Sequence, residues 1–312
     1  MKDYGFGVDL GGTTCKMGLF KTDGTLLDKW EIPTDTSNNG ENILGNIADA
    51  IADKMTEKKI GKEEVEGIGI GVPGPVNKDG VVIKCVNLGW GIFSIVEEME
   101  RLTGMKVKAG NDANVAALGE SWMGSGKDFN SIVMVTLGTG IGGGVVIDHK
   151  ILTGAVGAAG EIGHIGVNDE ETEACNCGQY GCIEQYASAT GIARMARRQL
   201  TASKEKSVLR QFDQVTAKDV FDAAKEGDFI AKLVVEDVCS LLASTLCKIS
   251  CVVNPEAFLI GGGVSKAGEY LIHAIEKPYY EKVFHACRDT KIVLATLGND
   301  AGIYGGVRML LV

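Results

Sequence analysis

The chain predicts an α/β fold in two lobes, and three observations carry that expectation. Strand-like and helix-like stretches alternate along its whole length, the pattern from which layered α/β architectures arise. A strand–glycine turn–strand unit occurs twice, at 4–20 and at 132–147, which hints at an internal duplication with one copy per lobe. The length is 312 residues, and at roughly 150 residues per domain that makes two.

The elements follow in order. Tyr4–Leu10 and Cys15–Phe20 are short apolar runs parted by Gly11-Gly12-Thr13-Thr14, so they read as two strands around a glycine turn. A helical stretch near Glu41–Lys58 precedes a strand at Gly67–Val72. Ser94-x-x-Glu97 reads as a capping box, opening a helix that Gly104 stops. Asn111-Asp112 leads an alanine-rich run, a helix start with Asp112 at the cap. Ile132–Leu137 and Gly144–Ile147 flank Gly138-Thr139-Gly140-Ile141-Gly142-Gly143 as the second glycine-tipped hairpin. Thr216 with Asp219 caps another helix, a long one follows Asp228, and the strand Ala257–Ile260 ends in Gly261-Gly262-Gly263. The division between lobes is expected near residues 105–115: a smaller lobe 1–110, joined by the chain end from about 300, and a larger lobe 111–299.

Composition bounds the function. Hydrophobic residues are 45% and charged residues 23%, as in soluble globular chains. The formal charge of −10 argues against a nucleic-acid surface, which must neutralise phosphates. Glycine, 43 of 312 residues against a usual ~7%, predicts tight turns that bring bare backbone to a ligand. The N-terminal residues resemble no signal peptide, and the apolar run Phe229–Val253 is broken by Lys232, Glu236, Asp237 and Lys248, so it reads as a buried helix and no membrane is expected. Nine cysteines without a secretory signal suit a reducing, cytoplasmic setting and favour metal binding over disulfides. The helical cysteines Cys239, Cys247 and Cys251 read as small buried hydrophobes.

Two stretches imitate the dinucleotide fingerprint, Gly69-Gly71-Gly74 and Gly138-Gly140-Gly143, but neither opens a helix as the pyrophosphate requires. Gly124-Ser125-Gly126-Lys127 fails the P-loop spacing. What remains is a pair of bare glycine turns able to point backbone N–H groups at an anion, with Thr13, Thr14, Thr136 and Thr139 beside them as hydroxyl donors. Asp9, ending the first strand, suits a metal-bound water near phosphates. Together with Gly261-Gly262-Gly263 these turns point to nucleotide binding.

Cys175-x-Cys177-x₄-Cys182, with His164 eleven residues upstream, supplies three thiolates and one imidazole. That set completes a tetrahedral zinc site and leaves no open position for a catalytic water, so the site is structural. Glu161 and Glu184 frame the cluster; as ionised carboxylates they are acceptors only and suit the hydroxyls of a polyol. Asp112 is both a routine N-cap and an ionised carboxylate able to act as general base; spacing alone does not rank it above other aspartates.

These motifs together resemble the ROK family (repressors, open reading frames and kinases), nearest its bacterial glucokinases. Glu161-x-Gly163-His164 followed by Cys175-x-Cys177-Gly178-x-x-Gly181-Cys182-x-Glu184 is the most specific part, and the resemblance runs from Asp9 to about Gly306. Asp9-x-Gly11-Gly12-Thr13-Thr14 and Leu137-Gly138-Thr139-Gly140-x-Gly142-Gly143-Gly144 resemble the two phosphate loops, and Gly261-Gly262-Gly263-Val264-Ser265 the adenosine element. Asn111-Asp112-Ala113-Asn114 resembles the catalytic segment; Gly71-x-Pro73-Gly74-Pro75 and Asn87-Leu88-Gly89-Trp90 resemble substrate-side loops. The resemblance implies a two-lobed actin/hexokinase-like (ribonuclease H-like) ATPase fold with an interlobe cleft. It implies phosphorylation of D-glucose by ATP·Mg²⁺ to glucose 6-phosphate, with Zn²⁺ structural and a homodimer or higher homo-oligomer as the working form. Asp112 would be the base; Asn87, Asn111, Glu161, His164 and Glu184 would hold the sugar, His164 also ligating zinc. Asp9, Gly11, Gly12, Thr13, Thr14, Thr139, Gly140, Gly262 and Gly263 would bind the nucleotide. Alternatives on the same scaffold are a kinase for N-acetylmannosamine, N-acetylglucosamine, allose or fructose. A sugar-responsive transcriptional regulator is a further one, against which the acidic charge and a first strand beginning by Tyr4 both weigh.

Overall fold

The computed structural model describes residues 2–83 and 85–312. It falls into two compact units: the first holds the residues up to Ser131 with Gly144–Gly160 and Thr296–Val312, the second Ile132–Gly143 and Glu161–Ala295. Asn111 and Asp112 thus lie in the first unit.

The first unit opens with β1 (Tyr4–Leu10), β2 (Thr14–Lys21) and β3 (Leu26–Pro33), then α1 (Ile43–Lys58) and β4 (Val65–Val72). A small hairpin pairs β5 (Val81–Val82) with β6 (Phe93–Ser94), and α2 (Ile95–Thr103), β7 (Val107–Asn111) and α3 (Asp112–Met123) follow. The sheet order is β3-β2-β1-β4-β7; β1, β2 and β3 pair antiparallel, while β1/β4 and β4/β7 are parallel. The core on one face of this sheet unites Phe6, Val8, Met17, Ile68 and Ile70 with Ile47 and Ile51 of α1. Helix α2 starts where the Ser94 hydroxyl accepts from Glu97 N–H (3.2 Å), one half of the expected capping box, and stops at Gly104 in the left-handed region as its sequence predicts.

The C-terminal α9 (the ninth helix, Ala301–Leu311) also belongs to the first unit. It packs on β1, β4 and α3 through glycine. A Cβ on Gly7 would lie 1.9 Å from Ile303 O, one on Gly69 1.8 Å from Gly306 O, and one on Gly305 1.7 Å from Val115 O. No side chain fits those gaps. The glycine excess is therefore partly a packing seam, which corrects the expectation that it marks ligand loops.

Between α3 and α9 the chain runs through β8 (Ile132–Leu137), β9 (Ile141–Ile147), β10 (Lys150–Ile151), α4 (Glu184–Ala187), α5 (Ala189–Ala202), α6 (Ala217–Lys225), α7 (Phe229–Val253), β11 (Ala257–Gly261), α8 (Glu269–Lys282) and β12 (Lys291–Leu294). The second sheet, β10-β9-β8-β11-β12, repeats the order of the first, with β8/β11 and β11/β12 parallel. Helix α6 has the full capping box of Thr216 and Asp219, and Asp228 caps α7 by accepting from Ala231 N–H (3.0 Å). In the second unit's core, Phe258 meets Tyr279 edge-on at 5.9 Å, and the Tyr279 hydroxyl bonds Ser250 Oγ (2.8 Å). Of the α7 cysteines only Cys239 is buried, its thiol pushed up to about 12 by burial; Cys247 is half-buried, its thiol reaching Tyr279 O (3.7 Å), and Cys251 is exposed. All nine cysteines are free thiols, and among the described residues no helix is long and apolar enough to cross a membrane.

Candidate active site

In the first unit, the turn between β1 and β2 is shaped by its own backbone. Gly11 N–H donates to Thr14 O (3.1 Å), and Thr34 braces it from β3's end by donating its hydroxyl to Gly11 O (2.8 Å) and its N–H to Thr13 O (2.9 Å). A Cβ on Gly12 would meet nothing within 4 Å, so that edge of the turn is open. Asp9 sits just before it. Parallel pairing sets Asp9 and Gly110 on either side of Gly71, so the ends of β1 and β7 flank β4. Burial first, and then the charge of Asp112, push the Asp9 carboxyl up to about 6, against the pull of Lys16.

The cap of α3 is Asn111, not Asp112. Asn111 has extended backbone and its Oδ1 accepts from Asn114 N–H (3.1 Å), while Nδ2 donates to Gly74 O (3.1 Å). Since β7 ends at Asn111, the helix begins at Asp112, whose Oδ1 accepts from Ala113 N–H (2.8 Å). One amide side chain thus ties the start of α3 to the Gly71–Pro75 loop. Asn87 is exposed on a short 3₁₀ turn, followed by Gly89 at φ +74 and by Trp90, whose indole N–H donates to Gly40 O (3.2 Å).

In the second unit, Gly138 N–H donates to Gly140 O (2.9 Å), and Ala189 N–H at the start of α5 donates to Gly138 O (2.8 Å). Thr190 donates its hydroxyl to Thr139 O (2.8 Å). Glu184 reaches this turn: its Oε2 accepts from Ile141 N–H (2.8 Å), and a Cβ on Gly140 would lie 2.2 Å from that oxygen. The glycine at 140 is thus needed for a carboxylate to approach, a coupling that sequence spacing did not reveal.

His164, Cys175, Cys177 and Cys182 bring one ligand atom each to within 4.8 Å of one another. Cys177 Sγ and Cys182 Sγ are 3.7 Å apart, and Cys175 Sγ is 3.8 Å from His164 Nδ1. A tetrahedral ion with metal–sulfur bonds of ~2.3 Å has ligand–ligand edges of ~3.8 Å, so the donor set fits such an ion. The loop is built for this. Cys175 N–H donates to Gln179 O (2.7 Å), Gly178 N–H to Cys175 O (2.8 Å), and Gly178 and Gly181 hold φ +87 and +71. His164 turns its other nitrogen toward Glu161 Oε2 at 4.0 Å, and Glu184 Oε1 lies 3.8 Å from Cys175 Sγ. Glu161, His164 and Glu184 thus gather around one cysteine loop.

Gly262 (φ +82) follows the end of β11, and Gly263 begins a 3₁₀ turn that lines a cavity of ≈ 330 Å³. Ala189, Phe221, Val264 and Ala267 give it mostly apolar walls, with Lys218 and Asp222 at α6. Gly262 and Gly263 stand out in the sequence as a glycine run, but these walls do not, since α5 and α6 contribute them from remote positions.

A carboxylate near the end of β1, another just beyond β7, two glycine turns and a cysteine–histidine loop define a chain of the sugar-kinase type. The ROK family model matches residues 5–311, and the chain belongs to the ROK family. It is 44% identical to the glucokinase of Halalkalibacterium halodurans over 96% of this chain and 92% of that one. It is 37% identical to the glucokinase of Thermotoga maritima, over 97% and 96% of the two chains. The crystal structure of a ROK family glucokinase from Streptomyces griseus, in complex with glucose and AMPPNP, superposes with a TM-score of 0.75 at 31% identity, covering 98% of each chain. The two mixed five-strand sheets are those of the actin-like ATPase fold.

Proposed function

We propose that the chain is a glucokinase: ATP + D-glucose → ADP + glucose 6-phosphate. The observation that carries the choice of sugar is the 44% identity to a glucokinase over nearly the whole length. In this reading Asp112 takes the proton of the 6-hydroxyl as that oxygen attacks the γ-phosphorus in line and the β–γ bridging oxygen leaves with ADP. Asp112 opens a helix, whose N-terminal dipole favours its ionised form. Asn87, Asn111, Glu161, His164 and Glu184 orient the sugar hydroxyls. The turns at Gly11-Gly12-Thr13-Thr14 and Thr139-Gly140 offer N–H and hydroxyl donors to the phosphates, and Gly262 and Gly263 admit the nucleoside at the apolar cavity. Positioning and fixed dipoles do most of the work in phosphoryl transfer.

Asp9 would hold Mg²⁺ through its waters; the ion neutralises phosphate charge when bound. His164, Cys175, Cys177 and Cys182 would hold Zn²⁺, which cross-links the loop bearing the sugar-side carboxylates. Free thiols throughout suit the reducing cytoplasm, and a homodimer or larger homo-oligomer is the expected assembly, which sedimentation checks against a single-chain mass.

The test is coupled ADP release with ATP·Mg²⁺ across glucose, mannose, fructose, allose, N-acetylglucosamine and N-acetylmannosamine. Glucose is expected to give by far the highest kcat/KM. Preference for another sugar would overturn the glucose assignment, and no turnover from zinc-loaded protein would overturn the kinase reading.

A further inference from the structure

The cysteine loop is gripped by more than its thiols. Glu171 lies four residues before Cys175 with only 2% of its side chain exposed. Its carboxylate accepts from Arg198 Nη1 (3.1 Å) and Nη2 (3.0 Å), from Arg194 Nη2, and from the Tyr186 hydroxyl (2.6 Å). The backbone N–H groups of Thr172 (3.0 Å) and Glu173 (3.1 Å) fill its remaining sites. Both arginines stand on α5, and Tyr186 stands on α4 two residues beyond Glu184. Arg198 above all holds the Glu171 carboxyl far below the usual carboxylate range, in spite of its burial.

The same grip closes the loop on itself. Tyr186 accepts from Asn168 Nδ2 (2.9 Å), and Gln185 Nε2 donates to Glu173 O (2.9 Å). Gln185 Oε1 accepts from Cys182 N–H (3.2 Å), while Arg194 Nη1 donates to Gln185 O (3.1 Å). The limb entering the loop, 168–173, and the limb leaving it, 182–186, are therefore tied to each other and to α5. No ligand atom of the metal cluster takes part in these bonds.

We propose that Glu171 is a positioning residue that preorganises the Cys175–Cys182 loop for its metal and, through Tyr186 and Gln185, sets Glu184 against the second glycine turn. A buried carboxylate that receives two guanidinium groups cannot be replaced by an amide without leaving donors unmatched, so the loop loosens. Groups that orient metal ligands from behind typically govern affinity by roughly 10–100-fold. The part of the proposal that concerns Glu184 rests on the sugar-kinase reading; the part that concerns the metal does not.

The test compares zinc-loaded wild type, Glu171→Gln and Glu171→Asp. Zinc transfer to a chromophoric chelator is followed for rate and equilibrium, and far-UV circular dichroism checks the fold. Glu171→Gln is expected to bind zinc roughly 10–100-fold more weakly with unchanged helix content, and Glu171→Asp, which keeps the charge, to recover part of that loss. Zinc affinity within twofold of wild type in Glu171→Gln would overturn the proposal. With zinc saturating, the sugar KM is expected to rise about tenfold while kcat stays within about threefold. An unchanged KM would overturn the Glu184 half alone. Should Glu171→Gln not fold, Arg198→Gln removes two of the bonds and is read in the same way. Absence of sugar turnover in wild type would count against the proposed function, leaving the zinc measurements to judge the clasp.

Discussion

Asp112 acts on Asp9 through its charge: Asp9 stands near the end of β1 and Asp112 just beyond the end of β7, with β4 between those strands, and burial together with Asp112 lifts Asp9 to about 6. A site that concentrates negative charge before its ligand arrives is built to receive a cation with that ligand. The first two predictions follow from this pair.

Asp9 is expected to give both a stability and an activity signature. Its folded value lies above the ordinary carboxylate value, so between pH 4 and 6 the folded state binds the extra proton. The stabilisation is present at low pH and is lost as pH climbs through about 6. Asp9→Asn should therefore raise Tm at pH 7.5, by an amount worth about 1–3 kcal/mol, and change it little at pH 4.5. The same substitution should remove most ATP·Mg²⁺-dependent turnover. Calorimetry at the two pH values checks it; an equal or opposite Tm change would refute the assignment.

Asp112→Asn should lower kcat by roughly 10²–10⁴-fold with the fold intact, as expected for loss of a general base. Because Asn111 holds the cap, Asn111→Ala should be the variant that costs stability, about 1 kcal/mol, through a lost N-cap bond. Denaturation midpoints of the two variants, beside their kcat values, separate the roles. Near-normal kcat in Asp112→Asn would exclude it as the base.

Cys177→Ala removes the one exposed thiol of the cluster. Zinc content by elemental analysis should fall from one per chain to well below one. Sugar KM should rise with it, because Glu184 Oε1 and Cys175 Sγ stand 3.8 Å apart in the same loop. Full zinc occupancy in this variant would contradict the four-ligand set.

Two glycines should behave oppositely. Gly69→Ala drives a Cβ to 1.8 Å from Gly306 O and should destabilise by at least about 3 kcal/mol or prevent folding. Gly12→Ala meets nothing within 4 Å, so its Tm should be close to wild type while the KM for ATP rises. Thermal melts of both variants and ATP kinetics of the second decide the matter.

Legibility from sequence was uneven for physical reasons. Strong local chemistry was readable: both glycine hairpins, the Thr216 cap, the start of α7 after Asp228, and the His164–Cys182 cluster all depend on residues near each other in the chain. Strand β3 escaped notice because Leu26–Pro33 alternates half-buried and exposed residues, several of them charged, and takes its place only through pairing with β2. Asp112 was placed at the cap because both Asn and Asp suit it; only the end of β7 at Asn111 decides between them. β9 begins at Ile141, inside residues that read as turn, since pairing outweighed the low strand preference of glycine. The bond from Ile141 to Glu184, the walls of the cavity beside Gly263 and the Glu171 clasp join distant positions and left no local trace.

The glycine seam beneath α9 also has a bearing on how the chain is made. The sheet that begins at Tyr4 is covered by a helix that begins at Ala301, so the first unit cannot close until residues 301–311 have been synthesised. At roughly 5–20 residues per second, β1 waits on the order of tens of seconds for its helix. During that interval every residue of the second unit, which ends at Ala295, is synthesised before the helix that the first unit needs.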